Sequence, residues 1–228
     1  SYFSNYIEGT NFEIEEAEEI IFDKKIIESR PKDSHDILGV FNIVSDREEM
    51  KRTPNSFQEL IEIIQRRHFI MMKERPEVEP GKFKEKKNKA GNTTFVDPDY
   101  VIGTLEKGFE IYSSLKEVQA KAIFISYLIS EVHPFNDGNG RLCRIMFNSE
   151  LAKAGLSTLI IPTVYREDYL LSLRALSRRE RAKPLIKMFT RALRFSNLDF
   201  SNYSKSLKYI SDYNWFLEPS EGRIIEIL

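Results

Sequence analysis

The run His133-Pro134-Phe135-Asn136-Asp137-Gly138-Asn139-Gly140-Arg141, with Arg144 three residues further on, constrains this chain more than any other feature. Before it, Val118, Ala122, Ile123, Ile125, Leu128, Ile129 and Val132 recur at helical spacing, and Phe124 and Tyr127 fill the other side, the pattern of a buried helix. After it, Leu142 to Ala154 is again helical in pattern and stops at Gly155. The run therefore reads as a loop between two helices, with its glycines at the start of the second.

That placement carries chemistry. The first turn of a helix leaves backbone N–H groups unpaired and partly positive, so it attracts anions. Gly138 and Gly140 remove side chains that would keep a phosphate away from those N–H groups, and they permit positive φ. Arg141 and Arg144 are three apart and share a face of the new helix, which suits a polyphosphate. Asp137 stands at the rim, where a carboxylate can hold Mg²⁺ between phosphate oxygens. His133 precedes the site and is of the residue type that takes a proton from a hydroxyl near neutral pH. The pattern describes transfer from a nucleoside triphosphate to a hydroxyl. An Asp-Gly-Asn-Gly turn alone does not account for the histidine and both arginines. An EF-hand loop fails on spacing: with Gly140 sixth, its first and twelfth residues are Phe135 and Met146, neither a Ca²⁺ ligand. No Gly-x-x-x-x-Gly-Lys-Ser/Thr segment is present, so the chain has no P-loop.

The run resembles the signature of Fic-domain proteins, His-Pro-Phe-x-Asp/Glu-Gly-Asn-Gly-Arg-x-x-Arg, at every fixed position. The resemblance implies an all-α fold, a helical bundle with a small β-hairpin flap over the active site. It implies transfer of AMP from ATP to a Ser, Thr or Tyr hydroxyl of a target protein, with release of pyrophosphate. By the same resemblance His133 is the base, Asp137 the Mg²⁺ ligand, and Asn139 with the Gly138 and Gly140 N–H groups the α-phosphate site. Arg141 and Arg144 hold the β- and γ-phosphates, and Phe135 points inward as an anchor. Bacterial origin and a cytoplasmic location go with it.

Composition fits one such domain. The 228 residues suffice for a substantial core, and at 41% hydrophobic the chain is not disordered. A net charge of −1 gives no reason to expect nucleic acid or a membrane as the main partner. The single cysteine, Cys143, excludes an internal disulfide and Cys-rich zinc sites. No apolar run is long enough to span a membrane and no signal-peptide pattern opens the sequence. The chain opens at Ser1 and stops within an apolar periodic run, as a trimmed chain reads.

Near the start, Ser4 and Glu8 are four apart and share a face if the segment is helical, with Gly9 as its stop. The segment is similar to the Fic inhibitory motif Ser/Thr-x-x-x-Glu-Gly/Asn, in its N-terminal (class II) position. The resemblance implies that Glu8 pairs with Arg144 in the place of the γ-phosphate, so that ATP binds with its α-phosphate misaligned. Residues 1–10 are thus expected as an inhibitory helix, 11–195 as the core, and 196–228 as a helical extension opening a truncated further module.

Within the core, Glu13 to Ile27 reads as a helix with acids early and lysines late. Ser29 to Asp36, with Pro31, reads as a connection, and Ile37 to Val44 as a short helix. Ser56 and Glu59 form a capping box for a helix in which His68 is a packed or capping residue. A hairpin is expected near Phe83–Phe95, and in Fic proteins this place holds the flap (about 82–96), where a target segment adds as a strand. Lys84, Lys86, Lys87 and Lys89 read as a solvated charge run. Asp97-Pro98 starts a helix whose core face is Tyr100, Val101, Leu105, Phe109 and Tyr112, and Ser114 with Glu117 suggests a second capping box. Tyr165 to Leu176 and Pro184 to Phe195 are further helices, and Pro219-Ser220-Glu221 opens a last one, Gly222 to Leu228. Tyr169 matches in kind the aromatic that packs on adenosine in Fic proteins, with a core tyrosine as the competing reading.

The partners implied are ATP, Mg²⁺ and a target protein docked at the flap. Self-modification, at Tyr2 or Tyr6 for example, and oligomerisation stay open. So do removal of AMP, transfer of another phosphate-containing group, and a non-catalytic regulator that binds nucleotide.

Overall fold

The computed structural model describes residues 1–91, 93–213 and 215–216. In chain order its first helices are α1 (Tyr2–Ile7), α2 (Ile14–Phe22), α3 (Pro31–Val44), α4 (Arg47–Met50) and α5 (Phe57–Met72). Then follow α6 (Val101–Ser114), α7 (Val118–Val132), α8 (Asn139–Lys153), α9 (Arg166–Arg179), α10 (Lys183–Ser196) and α11 (Tyr203–Asp212). Among the described residues, β structure is confined to an antiparallel hairpin, β1 (Lys89–Ala90) and β2 (Thr93–Thr94), paired Lys89 with Thr94 and Ala90 with Thr93. The fold is all-α with a hairpin flap. The chain forms two compact units, residues 15–156 with Ser1, and residues 2–14 with the described residues from Ser157 onward.

In the first unit α7 packs on α8, α3 on α5, and α6 on α7. Leu60, Ile64, Leu105, Tyr112, Ile125, Ile129, Leu142 and Met146 form the centre of the core. Burying each such side chain contributes roughly 1.5–3 kcal/mol. Gly39 marks the closest approach of α3 to α5: a Cβ there would lie 2.1 Å from the Met71 carbonyl oxygen. That contact seats the neighbouring turn of α3, which carries Asp36, beside the end of α5. On the far side of α8, Arg67 is fully buried, its Nε 3.1 Å from Glu49 Oε1 and its Nη1 donating to Ser149 Oγ at 2.9 Å.

Several local expectations need correction. α2 ends at Phe22 with no basic residue in its last turn, and Lys24 has φ 55°, so the lysines do not complement a helix dipole. Pro31 starts α3 rather than lying in a connection, because the first turn of a helix has no use for the missing N–H. Ser56 caps α5 through Glu59 N–H at 3.2 Å, but the Glu59 carboxylate accepts from Asn55 N–H at 2.8 Å instead of returning to Ser56. Ser114 is the last residue of α6 and bonds the Ile111 carbonyl, and Glu117 precedes α7 without a side-chain cap, so no second capping box forms. Pro98–Tyr100 is a 3-10 turn with Tyr100 exposed, and the Asp97 carboxylate pairs with Lys87 at 2.6 Å rather than capping.

In the second unit α9 packs on α10. The Tyr2 hydroxyl donates to the Phe12 carbonyl at 3.0 Å, Arg166 Nε donates to the Ile7 carbonyl at 3.0 Å, and Phe3 meets Phe195 edge-on. Trp215 is buried against Phe195, and its carbonyl accepts from the Thr163 hydroxyl. The helix expected from Gly222 to Leu228 lies outside the described residues.

Candidate active site

The signature loop begins where α7 stops. His133 is in the left-handed region (φ 49°, ψ 58°), and its N–H donates to the Ile129 carbonyl at 2.9 Å. A helix end leaves carbonyls without intrahelical partners. Here the flap supplies donors to the last carbonyl of α7 and to the three loop carbonyls after it: Lys84 Nζ to Val132 O at 3.1 Å, Asn88 Nδ2 to His133 O at 3.3 Å, Lys84 N–H to Pro134 O at 2.8 Å, and Asn88 Nδ2 to Phe135 O at 2.9 Å. Lys84 also donates to Asn88 Oδ1 at 2.7 Å. It is 3% exposed, so this lysine does not belong to a solvated run, and burial pushes its ammonium down to about 8. Phe95, past the flap tip, stacks face to face on the His133 imidazole with centroids 3.7 Å apart.

The interior side of the loop is held by three residues. Phe135 is fully buried and stacks on His68 at 3.9 Å. Asn139 closes the loop on itself: its Oδ1 accepts from Phe135 N–H at 3.0 Å and its Nδ2 donates to Phe135 O at 2.8 Å. His68 Nδ1 accepts from Gly81 N–H at 2.9 Å, which leaves Nε2 to donate to Asp137 O at 3.0 Å. Both ring nitrogens are thus engaged in the neutral form. Burial is the main cause that pushes the His68 imidazole down to about 4, and the Arg141 charge adds to it.

The other side of the loop leads into the start of α8. Gly138 is the N-cap of α8 with φ 76°, a conformation that glycine adopts without strain, and a Cβ there would meet Met71 Cε at 3.0 Å. Gly140 lies within the first turn of α8, so the left-handed backbone expected of both glycines is adopted at Gly138. Arg141 and Arg144 are both buried on α8. Arg141 Nη1 lies 2.5 Å from Asp36 Oδ2 and its Nη2 3.4 Å from Asp137 Oδ1. Arg75 also reaches the site, with Nη1 2.9 Å from Asp36 Oδ2 and Nη2 3.5 Å from Asp137 Oδ2. The Asp137 carboxylate is 45% exposed. A single open carboxylate suits Mg²⁺, which keeps waters and phosphate oxygens as its other ligands. Among the described residues no three potential metal ligands cluster, so a cation here would be shared with the phosphates rather than caged.

His133, Asp137, Gly138, Asn139, Gly140, Arg141 and Arg144 thus come together in the first unit. Ser4, Glu8, Gly9 and Tyr169 belong to the second. There Ser4 lies on α1, and the chain turns at Glu8 and Gly9, whose N–H groups donate to Asn5 O at 3.0 Å and Tyr6 O at 2.9 Å. Glu8 is exposed, and Tyr169 is 2% exposed against Phe189. Sequence reasoning missed Asp36, Arg75, Lys84, Asn88 and Phe95, none of which stands in a local pattern that marks it, and it read His68 as a packed or capping residue.

Comparison with known proteins bears on this geometry. Residues 57–151 match the sequence model of the Fic/DOC family. The protein adenylyltransferase fic-1 of Caenorhabditis briggsae is 33% identical over 101 residues, 42% of this chain and 20% of that protein. A probable protein adenylyltransferase of Aquifex aeolicus is 31% identical over 102 residues, 45% of this chain and 30% of that protein. The protein adenylyltransferase Fic of Aedes aegypti is 25% identical over 174 residues, 74% of this chain and 34% of that protein. The matches therefore span between a fifth and about a third of the length of these relatives. Among solved structures, Fic-1 from C. elegans superposes with a TM-score of 0.69 at 18% identity, over 93% of this chain and 62% of that one. A Fic family protein from Desulfovibrio desulfuricans G20 does so with a TM-score of 0.68 at 20% identity, over 92% of this chain and 62% of that one. Among the described residues, no helix is long and apolar enough to cross a membrane.

Proposed function

We propose that this chain, whose residues 57–151 match the Fic/DOC family, is a protein adenylyltransferase that moves AMP from ATP to a Ser, Thr or Tyr hydroxyl of a target protein. The observation that carries the reading is the pairing, on one loop, of a stacked imidazole with a glycine-capped helix start bearing two buried arginines. His133 Nδ1 lies 3.4 Å from the Ser130 carbonyl, and a hydrogen held there leaves the lone pair on Nε2. That nitrogen takes the proton of the target hydroxyl. The hydroxyl oxygen bonds to the α-phosphorus, and the bond from that phosphorus to the pyrophosphate oxygen breaks. Asn139 and the first N–H groups of α8 hold the α-phosphate, and Arg141 and Arg144 take the charge of the leaving pyrophosphate. Asp137 would hold Mg²⁺, which supplies further neutralisation of phosphate charge. The target docks at the flap.

The N-terminal segment acts as the brake on this reaction. Glu8 pairs with Arg144 and occupies the place of the γ-phosphate, so ATP binds out of line. In-line displacement tolerates little misplacement, and a shift of about 1 Å costs on the order of a hundredfold in rate. The formed helix α1 with Ser4 on it, and the turn at Glu8-Gly9, support this part of the reading.

The test is ATP labelled at the α-phosphate, with Mg²⁺, on this chain, on Glu8→Gly and on Glu8→Gly with His133→Ala. Glu8→Gly labels itself or lysate proteins at least about a hundredfold faster than the parent, and His133→Ala removes the label. Absence of label from every variant, although ATP binds, refutes AMP transfer. Equal labelling of parent and Glu8→Gly refutes the brake alone.

A further inference from the structure

We propose that Asp36 is a positioning residue for the triphosphate end of the nucleotide site and acts through Arg141. The inference rests on the reading that the site takes ATP. Asp36 is outside the signature, on α3, nearly a hundred residues upstream, and buried.

Two carboxylates and two guanidinium groups alternate around this corner of the site. The links to Asp36 are short, 2.5 Å from Arg141 and 2.9 Å from Arg75. The links to Asp137 are long, 3.4 Å and 3.5 Å. Exposure follows the same division: Asp36 is 5% exposed at its side chain and Asp137 is 45% exposed. A polyphosphate arriving from solvent can replace the long contacts but cannot reach the short ones. Asp36 therefore stays the fixed pole of the cluster when the anion binds, and Asp137 is the partner that yields. Holding Nη1 of Arg141 on Asp36 leaves Nη2 on the Asp137 side of the cluster, the side with the exposed carboxylate. The contact also removes rotamer freedom before the ligand arrives, so that ordering cost does not fall on binding. Arg75 Nε donates to Glu77 at 2.9 Å, and Lys32 pairs with Glu77 at 2.7 Å.

The effect is confined to ligands that carry β- and γ-phosphates. AMP offers Arg141 no phosphate beyond the α position, so ATP and AMP separate a positioning role from a general loss of structure. The experiment is calorimetric titration of ATP and of AMP, with Mg²⁺, into this chain, Asp36→Asn and Arg75→Gln. Asp36→Asn is expected to weaken ATP by about thirtyfold, the rotamer freedom of one arginine, and to leave AMP within about twofold. Arg75→Gln leaves the Asp36 carboxylate to Arg141 alone, so ATP weakens by less than about threefold. ATP binding that is unchanged or tighter in Asp36→Asn overturns the proposal, since Asp36 would then act only as a charge opposing the anion. Equal loss of ATP and AMP also overturns it. Should Asp36→Asn fail to fold, Arg75→Gln still decides: a full thirtyfold loss of ATP there assigns the organising role to Arg75 and overturns the proposal, and the small effect supports it. A parent chain that binds neither nucleotide refutes the reading of the site, and the inference with it. A parent that binds both, with an unaffected Asp36→Asn, refutes the inference alone.

Discussion

His68 makes a quantitative prediction that joins stability to the site. Its imidazole is sealed between Phe135, the Gly81 N–H and the Asp137 carbonyl, and burial holds it down to about 4. The unfolded chain binds that proton near 6.5. Between these values the unfolded state carries more protons than the folded one, so stability falls as pH falls. The contribution is complete above about pH 6.5. It declines by about 2 kcal/mol at pH 5 and about 3 kcal/mol at pH 4. Carboxylates and the other histidines titrate as well, so the assay is a difference. Urea unfolding is measured at pH 7, 6 and 5 for this chain and for His68→Gln, which cannot take up a proton. The parent is more stable at pH 7, and its lead over the variant shrinks by about 2 kcal/mol on going to pH 5. A lead that stays constant across that range refutes the reasoning, because it would mean that His68 titrates in the folded protein as it does in the unfolded chain. In the folded protein the proton is taken up only near pH 4, and there it removes the acceptor for Gly81 N–H.

Two further substitutions test the frame around the site. Gly39→Ala places a Cβ 2.1 Å from a backbone oxygen, which cannot move aside as a side chain tip can, so a loss of about 3 kcal/mol is expected in a urea melt; wild-type stability would refute the close crossing of α3 and α5. Asn88→Ala frees the His133 and Phe135 carbonyls from the flap, so AMP transfer in a Glu8→Gly background falls about tenfold or more while ATP binding by calorimetry stays unchanged. Weakened ATP binding there would show that the clasp serves the nucleotide rather than the base.

The signature could be read because its groups are contiguous. His133, Asp137, Gly138, Asn139, Arg141 and Arg144 share one loop and one helix start, so spacing alone gathers them. Asp36 and Arg75 reach the same place from two other elements, and nothing local distinguishes them from surface charges. Lys84 misled for a related reason. It sits in a run of lysines, and only the carbonyls at the end of α7 explain its burial. Pro31 was legible as a stop and equally as a start, and the packing of α3 against α5 decides between them. The hairpin was expected in the right place, but the side-chain anchors at its base are tertiary and left no periodic trace.

The four consecutive carbonyls from Val132 to Phe135, each claimed by Lys84 or Asn88, have a mechanical consequence. The hairpin is riveted to the main chain at its root, and the rivets grip backbone rather than side chains. Replacing the side chain of His133 or Asp137 therefore leaves the fastening intact. The cover is stiff where it borders the His133 loop, because that is where the four contacts sit.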